Sequence, residues 1–149
     1  MSVRDFRDLV AWQLADALRW EVVQFTSEGP ASRDFRFRDD IRASAGSAPA
    51  NIAEGFGRFR PRPFAQFVEY AEASLEETQD HLLEAKDRAL IDAKLFSRLW
   101  NLAKAAERAT TNLLLSKLRQ AKEERKPARR AGAHTRSHRA KPAPSCRDK

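Results

Sequence analysis

The stretch SAPANIAEGFGR, Ser47 to Arg58, decides how this chain is read. Leading into it, Ile41, Ala45, Ala48 and Ile52 recur at helical spacing, which marks one apolar face of a helix. Pro49 stands inside that run. Proline has no N–H to give the carbonyl of Ala45, and its ring crowds that carbonyl. The reading is therefore a helix that kinks at Pro49 or is interrupted for a turn, with Gly46 easing the bend. Asn51 and Glu54 follow one turn apart, placed to satisfy backbone groups opened by the kink and the helix end. A ligand role for Glu54 is the sharper alternative. Gly55 and Gly57 close the segment.

Upstream, this second helix starts near Ser32 or Asp34, both good N-caps. It is rich in small residues from Ala43 to Ala53, which let a neighbouring helix come close. A first helix spans about Asp8 to Ser27, with Ala11, Ala15, Leu18, Val22 and Phe25 on one stripe, and Gly29-Pro30 stops it. Leu9, Trp12, Trp20 and Val23 fall off that stripe. They read equally as tryptophans at the edge of a core or as an oligomer interface formed by Trp12, Trp20 and Val23.

Downstream, Phe56 to Pro63 reads FGRFRPRP. Arg58, Arg60 and Arg62 alternate with aromatics and prolines, a pattern able to hold phosphates and stack bases. The plainer reading, a solvated turn anchored by Phe56 and Phe59, weighs more on the sequence alone. A third helix opens at Pro63, a residue suited to a first turn. Phe64, Phe67, Val68, Ala71, Leu75, Thr78, Leu82 and Ala85 keep its stripe, and acids dominate its outer face. Asp92 caps a fourth helix whose seam is Leu95, Leu99, Leu102, Ala106, Ala109 and Leu113. Phe96, Ala103, Thr110 and Leu114 broaden that seam, and the helix runs to about Arg119. Four amphipathic helices and no strand signal predict an all-α, antiparallel up-down four-helix bundle with a kinked second helix over residues 1–120.

The charge is unevenly placed. Residues 121–149 hold ten Lys/Arg against three acids, which is the whole +7 of the chain; taking these from the totals of 28 and 21 leaves eighteen of each sign elsewhere. Residues 121–149 therefore read as a disordered Lys/Arg/Ala/Pro-rich tail, and Lys122, Arg125, Lys126, Arg129 and Arg130 join Arg58, Arg60 and Arg62 as candidate nucleic-acid ligands. No apolar run is long enough for a membrane span, and the first residues lack a signal-peptide core, so a cytoplasmic location is expected.

Catalytic signals are sparse. The single cysteine, Cys146, cannot form an internal disulfide. His81 stands alone, and His134 and His138 lie in the tail. No Glu-x-x-His pair of the di-iron bundles occurs, and GFG at 55–57 is no dinucleotide fingerprint. The expectation is a protein that is not an enzyme and needs no cofactor or metal.

SAPANIAEGFGR resembles the signature of the 23S ribosomal RNA intervening-sequence protein family. DLVAWQLA, Asp8 to Ala15, resembles the family's first-helix opening, and FAQFVEYAEASLEETQDHLLEAKD, Phe64 to Asp87, its third helix. The resemblance covers about residues 6–119. It implies a four-helix bundle that assembles as a homopentamer, without enzymatic activity. It further implies kinship with the accessory variability proteins of diversity-generating retroelements, which bind a reverse transcriptase and nucleic acid. Ala73 replaces the glycine that many members carry before Ser-Leu in the third helix. Two functions follow as expectations: a weak, non-specific RNA or DNA binder acting through the tail and the arginine loop, or a protein-interaction scaffold with no nucleic-acid role.

Overall fold

The computed structural model describes residues 3–125. These are all-helical, with no strand among them. A 3-10 turn at Phe6–Asp8, capped by the Asp5 carboxylate accepting from the Arg7 N–H, leads into α1 (Val10–Phe25). The Gly29-Pro30 stop opens a short helix of its own, α2 (Gly29–Arg33), because proline is at ease in a first turn. Then come α3 (Phe35–Phe56), α4 (Pro61–Asp87) and α5 (Ala93–Glu124). Asp34 and Asp92 cap α3 and α5, accepting from the Phe37 and Leu95 N–H groups at 3.0 and 2.8 Å.

Each long helix has two principal neighbours: α1 packs on α3 and α5, and α4 packs on α3 and α5. Cross-links give the directions. Ser47 meets Ser74 and Ser44 meets Thr78, so α3 and α4 run antiparallel. Glu72 meets Thr111 and Gln79 meets Glu107, so α4 and α5 do too. Arg42 reaches back to the carbonyl of Val23 and the hydroxyl of Thr26 at the end of α1.

The stripes read on the first three long helices are the buried faces, with Leu18, Val22, Ile41, Ile52, Val68, Leu75 and Leu82 completely enclosed. The fourth is rotated. On α5 the buried line is Leu99, Ala103, Ala106, Thr110 and Leu114, while Leu95, Leu102, Ala109 and Leu113 are only half-buried. A helix wedged between two neighbours buries the middle of its apolar arc, and here that middle takes Leu99 and Ala106 from the expected seam and Ala103, Thr110 and Leu114 from its flank.

Two boundaries differ from the sequence reading. α3 runs unbroken through Pro49, with no interrupted turn. Pro49 itself is buried. α5 continues five residues past Arg119, so Lys122 lies on the helix and Arg125 caps it, where the tail was expected to begin. Lys126, Arg129, Arg130, His134, His138 and Cys146 lie outside the described residues.

Candidate nucleic-acid interface

The end of the molecule where α3 turns into α4 is built on a close approach. A Cβ on Gly55 would stand 2.7 Å from Cδ2 of Phe64 and 2.9 Å from Cβ of Phe67. Only glycine leaves room for α4 to start there. Phe56 then packs edge-to-face on Phe64 at 6.2 Å. Gly57 caps α3 in ordinary right-handed geometry, with φ −69°. One turn earlier, Asn51 donates to the Ser47 carbonyl at 2.9 Å and to its hydroxyl at 3.0 Å. It therefore serves Ser47, not the Ala45 carbonyl that Pro49 leaves without a donor. Ser47 Oγ lies 2.9 Å from Ser74 Oγ, and Thr78 Oγ1 3.1 Å from Ser44 Oγ, so hydroxyls knit α3 to α4 along the signature. Glu54 holds the Arg58 guanidinium, which also covers the face of Phe67 at 4.9 Å.

Arg58 is thus engaged. Its neighbours are not. Arg60 precedes the first turn of α4, and Arg62 lines a recess of about 560 Å³ together with Lys122 and Arg125 from the far end of α5. The fold brings into one place cations that the sequence divides between a loop and a tail. Two more join them. Lys117 lies over the ring of Phe64 at 4.7 Å, and burial pushes its ammonium below the usual lysine range. Arg119 donates only to the Leu115 carbonyl, at 3.3 Å. None of Arg60, Arg62, Lys117, Arg119, Lys122 and Arg125 forms an ion pair with a described carboxylate.

Acids are present at this end too. Arg7 holds Asp5, whose carboxyl its hydrogen bonds pull down to about 2. Glu69 lines the recess, and Glu123 and Glu124 lie on the last turn of α5. Leu115 and Leu118 add exposed apolar surface beside Arg119 and Lys122.

The sequence reading missed Lys117 and Arg119. Both sit on the fourth helix, inside a segment that balances to zero charge, and the averaging hid them. It also paired Phe56 with Phe59 as anchors. Phe56 does anchor, but Phe59 is 95% exposed.

The residues singled out for self-association all lie on α1. Trp12 is half-buried and meets Phe6 edge-on at 5.2 Å. It borders a groove of about 270 Å³ with Arg19, Gly46, Pro49 and Ala50. Trp20 is 54% exposed, with the Arg19 guanidinium 4.6 Å from its ring centre. Val23 is half-buried, and its carbonyl accepts from Ser27 and Arg42. His81 packs edge-on to Phe37, and neither of its ring nitrogens has a hydrogen-bond partner. Among the described residues no group of three or more His, Cys, Asp or Glu could hold a metal ion, and no helix is long and apolar enough to cross a membrane.

An all-helical protein with a glycine-tightened α3–α4 junction and unpaired cations gathered beside it is the class these observations define. The family model described as 23S rRNA-intervening sequence protein matches residues 7–112. The chain belongs to that family. The match stops before Lys117, Arg119, Lys122 and Arg125, so four of the six cations of the basic end lie outside the shared part. No curated protein matches the chain at a significant level.

Proposed function

We propose that this protein is a non-enzymatic, cytoplasmic RNA-binding accessory protein that grips the phosphate backbone with its basic end, without sequence preference. The observation that carries the reading is the convergence of Arg62 with Lys122 and Arg125 on one recess that also holds Glu69, flanked by further cations that form no ion pair with a described carboxylate. Lys and Arg free of carboxylates release counterions from a phosphate backbone, which is the sequence-independent part of nucleic-acid affinity. The family's association with 23S rRNA makes RNA the first polymer to test. Lys126, Arg129 and Arg130 follow directly in the sequence and extend the same charge.

The proposal includes the assembly. The four long helices form an antiparallel up-down bundle, bent at Pro49, and five copies associate through α1 with Trp20 at the contact. Five basic ends on one particle raise avidity far above that of a single copy. Kinship with the accessory variability proteins makes a reverse transcriptase the protein partner to look for, and a partner that stays bound in high salt would favour the scaffold reading. The test of the main reading is anisotropy of a labelled single-stranded RNA titrated with the full chain at several salt concentrations. Binding that weakens steeply with salt supports it; no binding at low salt overturns it. Light scattering on the same sample reads the assembly, and a monomer mass overturns the pentamer.

A further inference from the structure

We infer that Phe59 is a stacking platform for an unpaired base, so that the basic end takes single-stranded RNA in preference to duplex. This deepens the RNA-binding reading and rests on it.

Phe59 has φ +59°, a left-handed conformation that a bulky side chain rarely adopts. The turn around it spans three residues and is closed by the Arg60 N–H donating to the Arg58 carbonyl at 2.6 Å. A positive φ at the centre of such a turn is its rare, strained form. Strain of this kind persists where the surroundings or a function maintain it. Packing does not maintain it here, because Phe59 is 95% exposed. The neighbouring aromatics are occupied: Phe56 and Phe64 pack on each other, and Phe67 is covered by Arg58. Phe59 is left with both ring faces open, between Arg58 and Arg60 and three residues before Arg62 in the recess.

Ala89 is the other non-glycine residue at positive φ, and its strain has a structural return. The N–H of Leu90 reaches the Ala85 carbonyl at 2.8 Å, the N–H of Ala89 reaches that of Lys86 at 3.1 Å, and Leu90 packs on the core. That is a helix stop of the Schellman type. Phe59 has only the Arg60-to-Arg58 bond of its own turn, and its ring packs on nothing in the core. A flat, exposed aromatic among cations that hold phosphates is the arrangement by which proteins bind single strands without reading sequence.

The test uses the full chain, a labelled oligouridine and a matched RNA duplex. Phe59→Gly removes the ring and relieves the backbone, so thermal stability should hold or rise. Oligouridine affinity should fall about tenfold, with duplex affinity and the salt slope unchanged, and Phe59→Trp should restore it. R60Q/R62Q should weaken both RNAs and flatten the salt slope. If F59G binds oligouridine as tightly as the parent while R60Q/R62Q does not, stacking is wrong and the RNA-binding reading stands. Equal loss on both RNAs in F59G also overturns stacking, since the ring would then only shape the loop. A parent that binds neither RNA overturns both proposals.

Discussion

The two ends of the molecule carry their charges differently. At the end where α2 enters α3 and α4 turns into α5, four arginines are matched, while Arg33, Lys86 and Lys94 form no ion pair with a described carboxylate. Arg88 bridges Asp34 and Glu84, Arg38 pairs with Asp39, Arg36 with Asp40, and Arg98 with Glu21. Asp34 does double duty there, capping α3 while it holds Arg88. At the other end, Arg60, Arg62, Lys117, Arg119, Lys122 and Arg125 have no such partners among the described residues. Exposed ion pairs contribute little to stability, so the matched end gains modestly from its pairing. What the pairing mainly does is cancel the field. The unmatched end keeps more of its field, and under the proposed function that field is what would draw an anionic polymer.

The largest effect should come from dissolving this contrast. Changing the six unmatched cations to glutamine should lower affinity for single-stranded RNA by at least about a hundredfold at low salt and flatten the salt slope by several units. Changing Arg36, Arg88 and Arg98 at the matched end should leave both unaltered. Anisotropy across a salt series reads the two variants, and equal losses would erase the distinction.

Gly55→Ala comes next. Its new methyl meets Phe64 and Phe67 inside van der Waals contact, so α4 must shift, at a cost of about 1–3 kcal/mol in chemical denaturation. Phe64 is the ring under Lys117, so the basic end should loosen as well. An unchanged midpoint would show that the junction yields easily.

The two strained residues sharpen the comparison on a smaller scale. Ala89→Gly should stabilise the fold by about 1 kcal/mol, because it keeps the helix stop and removes the left-handed penalty. It should do nothing to RNA binding. A melting curve with a binding titration checks both halves, and a loss of affinity would tie the matched end to function.

The smallest effect is a pH dependence. The Phe37 N–H, and then Arg88, hold the Asp34 carboxyl below the usual range for aspartate. A depressed folded value means that this stabilisation is fully present above the ordinary carboxylate range and is lost as pH falls through the folded value. Melting temperature should therefore drop on acidification, less so in Asp34→Asn. Parallel curves for the two proteins would remove Asp34 from the account.

Much of the fold was legible because it follows from local pattern. Ile41, Ala45, Ala48 and Ile52 recur at helical spacing and are buried, and Asp34 and Asp92 are caps by residue type and position. The rotation of α5 was not legible. Its apolar arc is broad, and which part is buried depends on where α1 and α4 sit. Pro49 argued for a kink or an interrupted turn, and α3 continues through it without interruption.

The candidate site was half legible. Arg58, Arg60 and Arg62 stood out beside their aromatics, but Arg58 turns out to be held by Glu54. Lys122 and Arg125 stood out as part of a tail, and the fold places them on the last turns of α5 against Arg62. A net charge of zero over residues 1–120 concealed the rest, because composition counts charges and cannot see which are paired. The strain at Phe59 is a backbone angle, and no residue pattern announces it.

The most direct test of the account is photocrosslinking of a thiouridine-substituted single-stranded RNA to the full chain, with the attached residues read by mass spectrometry. The account predicts adducts at residues 58–62 and 117–125. Adducts confined to the end around Asp34 and Arg88, or to the Trp20 face of α1, would contradict it.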